Sequence, residues 1–167
     1  MLKALRGGLF ALAIATVACA QPTAPDPVAT EVPVERFNTE RRTFEFYSGF
    51  YQPERLVIRN QSAWQDVWVR IYKGPIPELP VPVVNFGGKA VIVTALGNRP
   101  HGGYGITITG ASRTGSIVTV RFDTWSPAPL CGGGTQAETQ PIDLVKLNLH
   151  SFDVVRFDET ATVRNCG

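Results

Sequence analysis

From residue 83 to residue 157 the sequence is a succession of short apolar or alternating runs, each closed by Gly, Pro or Asn. That pattern constrains the fold more than any other feature. Strict alternation places one side of a strand against a core, while an unbroken apolar run of four to eight residues is a strand buried on both faces. Val83-Val84-Asn85-Phe86 and Ala90 to Ala95 are apolar runs bounded by Gly87-Gly88 and Gly97. Tyr104 to Thr109 and Ile117 to Trp125 alternate around Arg113-Thr114-Gly115 and predict a hairpin, with Val118, Val120 and Phe122 on its buried face. Ser126 to Gly134 is a Pro- and Gly-rich loop. Ile142 to Leu147 and Phe152 to Phe157 predict two further strands, turned at Asn148 to Ser151. Upstream, Thr43 to Tyr47 and Arg55 to Arg59 read as strands.

One segment has helical periodicity. Trp64, Val67, Trp68 and Ile71 fall at i, i+3, i+4 and i+7. Ser62 is the expected N-cap, Gln65 completes a capping box, and Gly74-Pro75 ends the helix. The prolines from Pro75 to Pro82 then make an extended connector. The expected fold is α+β. It is mainly antiparallel, with six to eight strands in a sandwich or barrel and one amphipathic helix packed on the sheet.

The N-terminus carries an address. Lys3 and Arg6 precede the apolar stretch Leu9 to Ala15, and small residues lead to Cys19. This is the layout of a secretory signal, too short for a membrane-spanning helix. Two cleavage sites compete. Val17-Ala18-Cys19 suits a lipobox, in which Cys19 is acylated and becomes the mature N-terminus, although Thr16 departs from the usual Leu. Ala18-Cys19-Ala20 is also an A-x-A site, with cleavage before Gln21. The Pro-rich stretch that follows favours the lipoprotein, because it has the composition of a tether. The domain reading is a signal over 1–18, a lipidated Cys and tether over 19–36, and one domain over 37–167. Ala20 occupies the place where, in known lipoprotein sorting, Asp signals inner-membrane retention. That resemblance implies outer-membrane, periplasmic or cell-surface display.

Of the 16 Lys and Arg, Lys3 and Arg6 leave with the signal, and the other 14 balance 14 Asp and Glu. A neutral mature protein without a basic run argues against nucleic-acid binding. Setting Cys19 aside leaves Cys131 and Cys166 as an even pair in an exported protein. A disulfide between them would close about 36 residues and contribute about 3–4 kcal/mol. No metal site is expected from two histidines without C-x-x-C spacing.

No catalytic residues and no cofactor are assigned. G-x-S-x-G, P-loop and H-E-x-x-H patterns are absent. His101 or His150 would need a nearby nucleophile, and Asp123 and Asp143 would need their strands to meet. The candidate binding element is the connection from Gly97 to Tyr104, with Asn98, Arg99, His101, Gly102, Gly103 and Tyr104 as its residues. It combines a cation, an imidazole and an aromatic ring in a short loop.

The order of these features resembles the C-terminal domain of the PrcB family of protease-complex subunits. Trp64 and Trp68 match a W-x-x-x-W-type helix, and Ala90 to Gly97 an apolar strand reaching Gly. Gly97 to Tyr104 matches a G-x-R-x-x-G-G-Y-like element. Thr139-Gln140-Pro141-Ile142 matches a Thr- and Pro-containing entry to a strand. The resemblance implies an accessory protein, secreted or lipid-anchored through Cys19, that stabilises or assembles a surface protease complex. It implies a protein partner, and no catalytic residues to carry over. A secreted protease inhibitor or other ligand-binding domain using the 97–104 loop is the alternative, and a small hydrolase a third.

Overall fold

The computed structural model describes residues 27–37, 47–72, 80–129, 131 and 136–165. Eight strands and one helix follow in the order β1 (Thr30–Glu31), β2 (Val34–Arg36), β3 (Glu54–Ile58), α1 (Gln61–Ile71), β4 (Lys89–Ala95), β5 (Gly105–Thr114), β6 (Ile117–Pro127), β7 (Ile142–Asn148) and β8 (Val154–Arg164). They form two four-stranded sheets, β1-β5-β6-β8 and β2-β7-β4-β3, which are not closed into a barrel. Each pairing is antiparallel except β6 with β8. The β-rich sandwich with a single helix is the expected class.

Strand β4 shows why its sequence is apolar throughout. Ala90 and Ile92 face the space between the sheets, where they meet Ile106, Ile108, Val118, Val120 and Phe122. Val91, Val93 and Ala95 face outward, where α1 covers them with Trp64, Val67, Trp68 and Ile71. A strand sandwiched between a sheet and a helix is apolar on both faces, so alternation disappears. Strand β7 divides in the same way, with Val145 and Leu147 inward and Ile142 and Leu144 toward the helix.

Helix α1 has the predicted buried face but a different start. Asn60 is the N-cap: its Oδ1 accepts from the Ala63 amide at 2.9 Å, and Ser62 lies inside the first turn. The backbone leaves β3 at Ile58, so Asn60 is the residue with extended backbone at the helix entrance. The helix ends at Ile71 with Tyr72 as C-cap, and the expected stop at Gly74-Pro75 lies outside the described residues. So does the predicted strand at residues 43–46; Tyr47 is described and is not in a strand.

Three further strand expectations are corrected. Val83 to Phe86 is not a strand. The Asn85 carbonyl accepts from Lys89 N, and Asn85 Oδ1 accepts from Gly87 N, making a turn into β4. The β5–β6 hairpin is longer than predicted, because Arg113 and Thr114 continue β5 and the turn is Gly115-Ser116, with Gly115 at φ +60°. The loop expected from Ser126 begins later, since β6 runs on to Pro127 through its pairing with β8. Strands β7 and β8, joined by the expected turn, lie in different sheets.

The stretch expected to be tether is partly in the fold. Thr30 and Glu31 pair with Arg113 and Ser112 of the first sheet, and Val34 to Arg36 pair with Leu147 to Val145 of the second. Between them Val32 is buried in the core. Val32, Val34 and this short run of pairing suffice to seat a Pro-flanked segment on two sheet edges. Glu35 is held by Lys89 at 2.5 Å and Lys146 at 3.5 Å. The hydrogen bond from Lys89 is the main cause that lowers the Glu35 carboxyl below its ordinary range.

Asp143 is committed to structure. The register of β5 against β6 shifts between Ile108 and Gly110. The Ile108 amide donates to Asp143 Oδ2 at 2.6 Å, and Arg36 donates to the Ile108 carbonyl at 2.7 Å. Arg36 also pairs with Asp143 at 2.8 Å. The ion pair therefore satisfies backbone groups at the bulge and ties the two sheets together. Asp123 lies on the first sheet and is not among the partners of Asp143.

Candidate functional site

The connection from β4 to β5 carries every residue of the predicted binding loop. It is pinned rather than loose. Gly97 has φ +77°, and a Cβ there would lie 2.8 Å from the Gln52 backbone carbon, so only Gly fits. Arg99 and Thr139 exchange backbone hydrogen bonds at 2.8 and 3.0 Å. Gln140 Nε2 donates to Asn98 Oδ1 at 2.7 Å, and Thr139 Oγ1 donates to the His101 carbonyl at 3.1 Å. Both partners come from the Thr139-Gln140-Pro141 entry to β7, another of the elements on which the resemblance rested.

The predicted residues divide into two roles. Asn98, Gly102 and Gly103 shape the loop: Asn98 is bound to Gln140, Gly102 is buried, and Gly103 has φ +93°. His101 is half-buried, and its Nδ1 donates to the Gly102 carbonyl at 2.7 Å. Its ring packs on Tyr104 with centroids 5.2 Å apart. Arg99 and Tyr104 face a cavity of about 170 Å³ at the end of the sandwich, with the guanidinium 5.8 Å from the Tyr104 ring centre.

Residues from other strands complete this cavity. Thr124 and Ser126 line it from β6, and Glu159 and Ala161 from β8. Thr124 Oγ1 donates to Glu159 Oε1 at 2.7 Å. Arg55 of β3 approaches Glu159 at 3.5 Å, lies 4.4 Å over the Phe122 ring and donates to the Ala95 carbonyl at 2.6 Å. Burial holds the Arg55 guanidinium below the usual arginine range; Glu159 opposes that shift and Arg99 adds to it. The sequence reading missed Arg55, Thr124 and Glu159. Their signal is period two: Glu159 continues the inward series Val155, Phe157, and Arg55 precedes inward Val57 by two. A charge on the core-facing side of a strand marks the place where the core opens.

The second histidine belongs to a different cluster. His150 Nδ1 lies 2.8 Å from Arg113 and 3.5 Å from the buried Asp153. Among the described residues no group of three or more His, Cys, Asp or Glu is arranged to hold a metal ion. Cys131 Sγ lies 4.0 Å from the Arg164 carbonyl, two residues before Cys166, which is outside the described residues. Cys19 and the signal also lie outside them.

Fold and site together define a β-sandwich module with a helix on one outer face and a fixed polar loop at one end. The family model described as PrcB C-terminal matches residues 90–148, the span from β4 to β7 that contains this loop and the Thr139-Gln140 entry holding it. It is the family that the sequence resembles. No curated protein and no solved structure matches the sequence.

Proposed function

We propose that this protein is a non-enzymatic accessory module of an envelope protease complex, lipid-anchored through Cys19 and bound to its partner through the 97–104 face. The observation that carries this reading is the family match, because its span contains the pinned loop and the Thr139-Gln140 support. A recognition loop gains affinity when its conformation is fixed before binding. An inhibitor that inserts a loop into a protease cleft would project its side chains. Here Gly102 is buried and Arg99 lines a cavity, which favours docking over insertion.

The test uses the full-length protein in its native envelope. Affinity purification after mild crosslinking is expected to recover one extracytoplasmic protease, and depletion of this protein is expected to lower the amount of that protease severalfold. Protease levels and migration unchanged by depletion would end the proposal. Intact mass of the mature protein checks the anchor and the staple. A diacylglycerol-modified Cys19 is expected, with a gain of two alkyl groups only after reduction, from the Cys131–Cys166 disulfide. An unmodified protein starting at Gln21 removes the anchor.

A further inference from the structure

The cavity beside the loop has an unbalanced charge. Most described cations are matched: Arg36, Arg55, Arg70, Lys89, Arg113, Arg121 and Lys146 each have a carboxylate partner. Arg59, Arg99, Arg156 and Arg164 have none among the described residues, and of these four only Arg99 lines the cavity. Arg99 and Glu159 line the cavity, and Arg55, outside its lining, reaches Glu159 at 3.5 Å. Glu159 is already held by Arg55 and by the Thr124 hydroxyl. One positive charge is therefore left in a partly enclosed space, where attraction to an anion exceeds its value in open water.

The surroundings specify the anion further. Tyr104 gives an aromatic wall beside Arg99, and Ser126 adds a polar lining residue, while the Thr124 hydroxyl is engaged by Glu159. About 170 Å³ admits one amino-acid side group and falls short of the roughly 300–1,000 Å³ of drug-sized ligand pockets. A planar guanidinium matches a carboxylate in bidentate geometry.

We propose that the mouth between Arg99 and Tyr104 receives a single peptide carboxylate, either that of an Asp or Glu residue or that of a free C-terminus. The proposal rests on the reading of the 97–104 face as the docking surface and gives the chemistry of what docks there. The partner then presents an acidic residue or a free terminus to Arg99, and the surrounding loop surface supplies the rest of the contact.

The experiment follows the Arg99 Nε–H signal by NMR in the full mature protein. Three acetylated tripeptides serve as probes. Acetyl-Gly-Asp-Gly-amide offers the carboxylate of an Asp residue, acetyl-Gly-Gly-Gly with a free end offers a terminal one, and acetyl-Gly-Asn-Gly-amide offers neither. One of the first two is expected to shift the signal saturably at millimolar concentration, and whichever binds tighter names the source. The Asn peptide is expected to bind at least tenfold more weakly. Arg99→Gln is expected to reduce carboxylate binding at least tenfold, followed through Tyr104, with Arg99→Lys recovering part of it. Glu159→Gln removes the competing carboxylate and is expected to tighten binding severalfold. Equal binding of the Asp and Asn peptides, or unchanged carboxylate binding by a folded Arg99→Gln protein, overturns the proposal. Carboxylate binding that persists when no protease associates with the protein refutes the accessory role and leaves the site standing.

Discussion

Asp153→Ala is expected to cost about 3–5 kcal/mol of folding stability, the range found when one partner of a buried ion pair is removed. The Asp153 carboxylate is fully buried. Its Oδ2 accepts from Arg113 at 2.6 Å and from the His150 amide at 2.7 Å. Arg113 is next to last in β5 of the first sheet and also donates to the Asn148 carbonyl at the end of β7 in the second. Arg59 clamps the same crossing from another side, donating to the His150 and Asp153 carbonyls at 2.9 and 2.7 Å. Removing the carboxylate leaves a partly buried guanidinium without its counter-charge and frees the link between the sheets. Urea unfolding measures the loss, and a change below about 1 kcal/mol would show that the clasp does not hold the sandwich. Adding Arg113→Met to Asp153→Ala is expected to recover part of the loss, because it removes the stranded charge.

Trp64→Ala is expected to cost a similar amount, about 3–5 kcal/mol. Trp64 is fully buried at the centre of the helix–sheet layer. Its ring stacks on Phe37 and tilts against Trp68, each with centroids 5.2 Å apart. Its Nε1 donates to the Pro82 carbonyl at 2.9 Å, so it also seats the segment that follows the helix. Ala removes the ring and leaves that carbonyl without its donor. Trp64→Phe keeps most of the volume, and its smaller loss separates packing from the hydrogen bond. A Trp64→Ala protein that unfolds at the wild-type urea concentration would mean the helix is not part of the cooperative unit.

How much of the molecule is legible in its residues depends on the physical rule each element obeys. The helix face is legible because a period of 3.6 repeats in four large residues, Trp64, Val67, Trp68 and Ile71. The hairpin is legible because β5 and β6 alternate on either side of a Gly. The cap is ambiguous because Asn60 and Ser62 are both good capping residues. The exit of β3 decides between them, and that exit depends on pairing with β4. Sheet membership is not legible at all. Alternation says which side of a strand is buried but not which sheet the strand joins, so β7 and β8 look like neighbours. The loop at 97–104 is visible from its composition. The strands that bring Arg55 and Glu159 to it lie far apart in sequence, and only the finished sandwich joins them.

The crossing of residues 30–36 from one sheet to the other also fixes an order of events. These residues emerge early during synthesis, yet they pair with Arg113 and Leu147, which come long afterwards. Contacts so distant in sequence carry a large loop-closure cost and form only once the rest has assembled. This segment, made before the other strands, is thus among the last to dock, and it closes one edge of each sheet like a latch. Until it does, the outer edges of β5 and β7 stand open to pairing with other molecules. The interval between synthesis and latching is when this protein is most exposed to aggregation.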